Sequence, residues 1–140
     1  MKYKEKVIKR IIEHIKANYQ RIDKDQMKIG DSFYNYMCHM NAVQYIKNGK
    51  ADEIYLCVYI ENNWPIVHFI NKQDDKYIDN TLGWRYEQLE YYIIKKVSED
   101  EYNSIEDLLS NTQKSLVESN SNVIARKIFR INSSGGHGLI

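Results

Sequence analysis

Proline is almost missing from this chain, one residue in 140, and glycine is sparse at six. So few breakers exclude a collagen-like or low-complexity linker protein and leave room for regular elements. Two cysteines are too few for a secreted disulfide framework, so the expected state is free thiols in a reducing cytoplasm. Excess charge is lacking too. Twenty Lys and Arg against nineteen Asp and Glu leave +1, which argues against binding nucleic acid by bulk electrostatics. No apolar run approaches the roughly 18 residues of a membrane span, and the charged start Met1-Lys2-Tyr3-Lys4-Glu5-Lys6 is not a signal-peptide core.

What is present is an ordinary globular composition, 43% hydrophobic and 28% charged, enough for one domain spanning 1–140. Heavy use of Lys, Ile, Asn, Tyr and Glu points to an AT-rich bacterial or phage genome. The pattern predicts an α+β fold, an antiparallel sheet packed against helices. Val7, Ile11, Ile12, Ile15, Tyr19 and Ile22 recur at helical spacing, predicting an N-terminal helix over residues 3–22. His14 beside that stripe has no second ligand in register and is expected at the surface.

Residues 23–37 form a connector, with a turn at Gly30-Asp31-Ser32 and an aromatic run, Phe33-Tyr34-Asn35-Tyr36, expected to lie against the domain. A second helix is predicted over 37–48, stopped by Asn48-Gly49. A meander follows. Ile54, Leu56, Val58 and Ile60 alternate with Tyr55, Cys57 and Tyr59, so that strand is interior. Asn62-Asn63 marks a hairpin, 64–71 a second strand and 76–81 a third. A further strand at 90–97 precedes Ser98-Glu99-Asp100-Glu101, a capping-box spacing, and a helix over about 99–118. The pattern at 123–131 fits strand or helix, and Ser133-Ser134-Gly135-Gly136-His137-Gly138 predicts a flexible tail over 132–140.

Three residues carry chemistry: Cys38 opening the second helix, His68 inside an apolar strand, and Asp79 in the next. A thiol at a helix N-terminus sees the positive end of the macrodipole and free N–H groups, which favour thiolate. Cys57, mid-strand and apolar in setting, is disfavoured as a nucleophile because burial opposes ionisation. A turn centred between Gln73 and Asp74 makes Asn71 face Lys76, Ile70 face Tyr77 and His68 face Asp79. Opposed residues share a sheet face, so a carboxylate so placed orients the imidazole; a one-residue slip would put Asn80 there instead. The bland alternative is a buried His–Asp pair that serves structure alone. A zinc site from Cys38, His39 and His68 ranks below both, since it lacks a fourth ligand.

At Cys38-His39-Met40-Asn41-Ala42, His68 and Tyr77-Ile78-Asp79-Asn80-Thr81 the chain resembles the papain-like fold superfamily, near bacterial transglutaminase-like and NlpC/P60-type proteins. The likeness covers about residues 33–97 and implies a compact papain-like core. It implies Cys38 as nucleophile, His68 as general base and acid, and Asp79 as orienting residue, with no cofactor and no metal. No glutamine precedes the cysteine as in papain-type proteases; Asn35 and Tyr36 are the nearby oxyanion candidates. Tyr34, Trp64 and Trp84 are candidates to line a cleft for a protein or peptide substrate. The expected activity is acyl transfer at an amide bond (peptidase, amidase, deamidase or transglutaminase-like). The rival is a non-catalytic papain-like binding or inhibitory protein, such as a phage factor acting on a host component; twelve tyrosines suit protein contacts.

Overall fold

The computed structural model describes residues 2–33 and 37–121. The fold is α+β, with a six-stranded sheet in the order β1-β6-β3-β4-β5-β2. Its strands are β1 (Gln20–Arg21), β2 (Met27–Lys28), β3 (Glu53–Glu61), β4 (Trp64–Gln73), β5 (Lys76–Ile78) and β6 (Glu90–Val97). The central pairings are antiparallel as the meander requires, and one edge pairing, β2 with β5, is parallel. The tail over 132–140 and the segment 123–131 lie outside the described residues. Among those described, no helix is long and apolar enough to cross a membrane.

Alternation along β3 splits the core in two. Ile54, Leu56, Val58 and Ile60 join Val67 and Phe69 of β4 in one cluster with residues of all three helices. These are α1 (Tyr3–Asn18), α2 (Cys38–Lys47) and α3 (Ile105–Ser119), which supply Val7, Ile11, Ile15, Cys38, Ala42, Leu109 and Leu116. Cys57 and Tyr59 fall in a second cluster with Ile22, Ile70, Tyr77, Leu89 and Tyr91. Each large apolar side chain so buried stabilises the fold by about 1.5–3 kcal/mol relative to exposure.

The N-terminal helix is shorter than its stripe predicts. It ends at Asn18, whose side-chain amide donates to the His14 carbonyl oxygen, and Tyr19 is extended at φ −121°. Residues 20 and 21 pair with β6 as an edge strand, and the Ile22 N–H donates to the Tyr91 carbonyl. Ile22 therefore matches the helical period but is buried in the second cluster, a tertiary outcome that overrides periodicity.

The β4–β5 hairpin also differs from expectation. The turn is Asp74-Asp75, with φ +50° and +66°, and Asn71 pairs with Ile78, not Lys76. A two-residue hairpin turn of this hand needs positive φ at both central residues, which aspartate tolerates better than glutamine does. Moving the turn centre by one residue shifts the pairing by two, so every side chain keeps its face. The third strand stops at Ile78; residues 79–82 leave the sheet, and the Gly83 N–H closes back on the Asp79 carbonyl. The other hairpin is as expected, with Asn62 and Asn63 at positive φ. Ser98 and Glu101 form the anticipated box, the Ser98 N–H donating to Glu101 Oε1 at 3.0 Å, but it opens a 3-10 segment over Glu99–Ser104, and the α-helix expected from about 99 begins at Ile105.

Candidate functional site

Cys38 is the first residue of α2, and Met37 precedes it in a non-helical conformation. The Asn41 N–H donates back to the Met37 carbonyl, so the N–H groups of Cys38, His39 and Met40 come before the first bond within the helix, as at any helix start. Asn41 and Asn71 fix where this helix end lies. The Asn41 side-chain amide donates to Thr81 Oγ1 at 2.9 Å, and the Asn71 amide to the Ala42 carbonyl at 3.0 Å. Asn80 donates to Asn71 Oδ1 at 2.8 Å, so one buried amide network ties α2, β4 and the 79–82 turn together.

Asp79 is fully buried, yet every oxygen is satisfied. Oδ1 accepts the N–H of Thr81 at 2.9 Å and of Leu82 at 3.0 Å. Oδ2 accepts the Tyr91 hydroxyl at 2.5 Å and lies 2.9 Å from His68 Nε2. A carboxylate has no proton to give, so Nε2 carries the hydrogen and Nδ1 is the ring nitrogen left for the thiol. The Tyr59 ring and the imidazole form a T-shaped pair, at 5.0 Å between centroids and 90° between planes. A β-bulge at Leu56/Cys57 in the β3–β6 pairing sits beside the Cys57–His68 pair.

Cys38 belongs to the helix-side cluster, whereas Cys57, the partner of His68, belongs to the other. Sulfur and imidazole meet nonetheless, because β5 ends before it reaches the level of His68. The Phe69 N–H, which no β5 residue accepts, is directed to the Cys38 sulfur, and His68 and His39 hydrogen-bond it as well. The thiol occupies the place at the edge of β4 where a longer strand would have bonded.

The charges follow from this packing. Burial pushes the Cys38 thiol up, but the charge of His68 and hydrogen bonds from His39, His68 and the Phe69 N–H bring it down to about 6. Burial pulls His68 down, and the charges of Asp79 and Cys38 with their hydrogen bonds outweigh it, raising it to about 10. Burial likewise opposes ionisation of Asp79, and His68, the Leu82 N–H and Tyr91 overcome it, holding the carboxyl below its usual range. Cys57 has only burial and neighbouring negative charge, from Asp79 and Cys38, and its thiol is pushed well above normal. The favoured state between about pH 6 and 10 is a thiolate–imidazolium pair on a carboxylate.

No protein-family model, curated protein or solved structure matches this chain.

The other site candidates divide. Tyr34, Asn35 and Tyr36 lie outside the described residues. Asn80 does not reach His68; it braces Asn71 and accepts the Asp31 N–H. Trp84 is 52% exposed on the turn that follows Asp79. Trp64 lines a groove of about 740 Å³ with Ile8 and Ile12 of α1, to which Cys38, His68 and Asp79 contribute nothing. No group of three or more His, Cys, Asp or Glu among the described residues is placed to hold a metal ion.

Three features escaped sequence reasoning. Tyr91 heads the Tyr91-Tyr92-Ile93-Ile94 run, and only the rule that a buried tyrosine hydroxyl needs a partner hints at its role. His39 is buried beside the thiol and its basicity is raised, chiefly by its hydrogen bond to Cys38. Gly30, expected in an ordinary turn, passes so close to the Asp79 carbonyl and the Asn80 side chain that a Cβ would collide with both. Glycine is required there by proximity, which spacing cannot reveal.

Proposed function

We propose that the protein is a cysteine-nucleophile acyl-transfer enzyme acting on amide bonds, built on a papain-like plan, with Cys38, His68 and Asp79 as its triad. The observation that carries this is a thiol at the start of a helix, set against an imidazole whose other nitrogen is 2.9 Å from a buried carboxylate, with the imidazolium holding the thiol below its usual range. A structural His–Asp pair explains the second contact but gives no reason for a thiol on the free nitrogen.

In the proposed cycle the Cys38 thiolate attacks the amide carbonyl carbon, forming a C–S bond and pushing the carbonyl electron pair onto oxygen. N–H groups at the start of α2 stabilise that oxyanion. His68 passes its Nδ1 proton to the amide nitrogen, the C–N bond breaks, and the amine leaves from a thioester. Water or a second amine then attacks the thioester while His68 takes its proton, and the C–S bond breaks to restore the thiolate. Asp79 keeps the ring in one tautomer throughout.

The test uses p-nitrophenyl acetate, which needs no knowledge of the natural substrate. Intact-mass spectrometry should find a 1:1 acetyl adduct on Cys38 that is absent in Cys38→Ala and strongly slowed in His68→Ala. Adduct formation at an unchanged rate in His68→Ala sinks the proposal.

A binding role has its own support. Among the described residues the exposed large hydrophobics are Phe33, Met37, Met40 and Trp84, on segments adjoining Cys38 or Asp79 in the chain, and Ile29, next to the Gly30 that passes against the Asp79 carbonyl. Apolar contacts of that kind suit a peptide substrate or a protein partner alike. Retention of the biological effect in Cys38→Ala would favour the non-catalytic reading.

A further inference from the structure

The hydrogen bonding of Asp79 is asymmetric. Oδ1 is taken by two backbone N–H groups of its own turn, while Oδ2 is shared between His68 Nε2 and the Tyr91 hydroxyl. Tyr91 is wholly buried in β6, two strands away from β4 across β3. Its hydroxyl contact, at 2.5 Å, is shorter than the 2.9 Å contact of the imidazole. A donor that approaches so closely withdraws electron density from the same oxygen that holds the His68 proton.

Resting on the acyl-transfer reading of this site, we propose that Tyr91 is a positioning residue that tunes proton transfer through Asp79. By competing with His68 for Oδ2 it keeps the carboxylate from holding the imidazolium proton too firmly. The proton then stays deliverable to a leaving amine. Without the phenol the full charge of Oδ2 falls on His68. The imidazolium becomes a weaker acid, its charge is drawn toward the carboxylate, and the thiolate beside it is stabilised less.

The groups packed around this pair come from every neighbouring element. Cys38 and His39 face it from α2 and Cys57 and Tyr59 from β3, with Glu61 and Arg85 acting on Tyr59. Lys24 lies over the Tyr91 ring at 5.3 Å, its ammonium donating to the carbonyls of Tyr86 and Leu89. Of the hydroxyl and ammonium groups among these, only Tyr91 donates to Asp79.

The experiment is the pH dependence of Cys38 alkylation by iodoacetamide in wild type, Tyr91→Phe and Tyr92→Phe. Tyr92 is the control, a neighbour on β6 whose hydroxyl donates to Glu90. In Tyr91→Phe the thiolate onset moves up by about half a pH unit, while the plateau rate rises by less than about twofold because thiolate nucleophilicity follows basicity weakly. Tyr92→Phe leaves the onset in place. Site-specific 3,5-difluorotyrosine at position 91, nearly isosteric and a stronger donor, moves the onset down, and it decides the matter if Tyr91→Phe fails to fold. An onset that is the same in all Tyr91 variants, or that moves equally in Tyr92→Phe, overturns the inference. If the profile of His68→Ala matches wild type, the acyl-transfer reading falls and this inference with it. If His68→Ala shifts the profile and the Tyr91 variants do not, only the role of Tyr91 is lost.

Discussion

His68 reaches Asp79 on the diagonal. Extending the Asn71–Ile78 register by one residue places Asp79 alongside Ile70, yet His68 Nε2 lies 2.9 Å from Asp79 Oδ2. The contact is possible because residues two apart on a strand share a face and because β5 has already ended, freeing the aspartate to turn toward the ring. The same early ending leaves the Phe69 N–H for the sulfur of Cys38. One short edge strand thus makes room for both halves of the site.

Iodoacetamide should label Cys38 with a rate that rises through about pH 6 and is level above pH 7, since that is where its thiol ionises. Cys57, fully buried and pushed up by burial, should label only after unfolding. Peptide mapping of alkylated protein checks both. An onset at the ordinary thiol value of about 8.5 would contradict the ion pair.

Stability should be nearly flat between about pH 6.5 and 8.5 and fall above it. Cys38 is depressed, so its contribution is complete above the unfolded thiol value and is lost as pH falls through about 6. His68 is raised, so its contribution is complete below the unfolded imidazole value and is lost as pH rises through about 10. Across the shared window the two slopes oppose each other. Cys38→Ser removes the first and, by taking the thiolate's charge away from His68, weakens the second without abolishing it, because Asp79 remains; urea denaturation of that variant should show stability declining from about pH 6.5 upward and levelling off below about pH 10.

Asp79→Ala should destabilise the fold by about 3–5 kcal/mol, because it strands a buried imidazolium and removes the acceptor of the Tyr91 hydroxyl and two N–H groups. Asp79→Asn preserves shape but not charge. Its thiol onset should move up from about 6, as measured by the same alkylation profile.

Gly30→Ala should cost about 1–3 kcal/mol through overpacking. The new methyl group strikes the Asp79 carbonyl, the Asn80 amide and Ile78, so it displaces the turn that carries Asp79. Thermal denaturation should show the loss, and a broadened or raised thiol onset should accompany it. A variant with wild-type stability would mean that the 29–33 segment yields freely.

Periodicity and turn chemistry were enough for the helices and the long central strands, but not for the two-residue edge strands β1 and β2. Alternation in β3, the Asn62-Asn63 hairpin and the Ser98–Glu101 box are local signals, set by neighbours within a few residues. The face shared by His68 and Asp79 was legible for the same reason: strand parity survives a two-residue change of register. Local chemistry also marked Cys38, because a helix start declares itself in sequence. What no local rule contains is where a strand stops and what fills the gap. The end of β5 at Ile78, the passage of Gly30 against the Asp79 carbonyl and the arrival of Tyr91 from β6 are contacts between residues 11 to 49 positions apart. Their energies depend on packing that exists only once the sheet has formed, so the tertiary structure alone decided which donors share the carboxylate of Asp79.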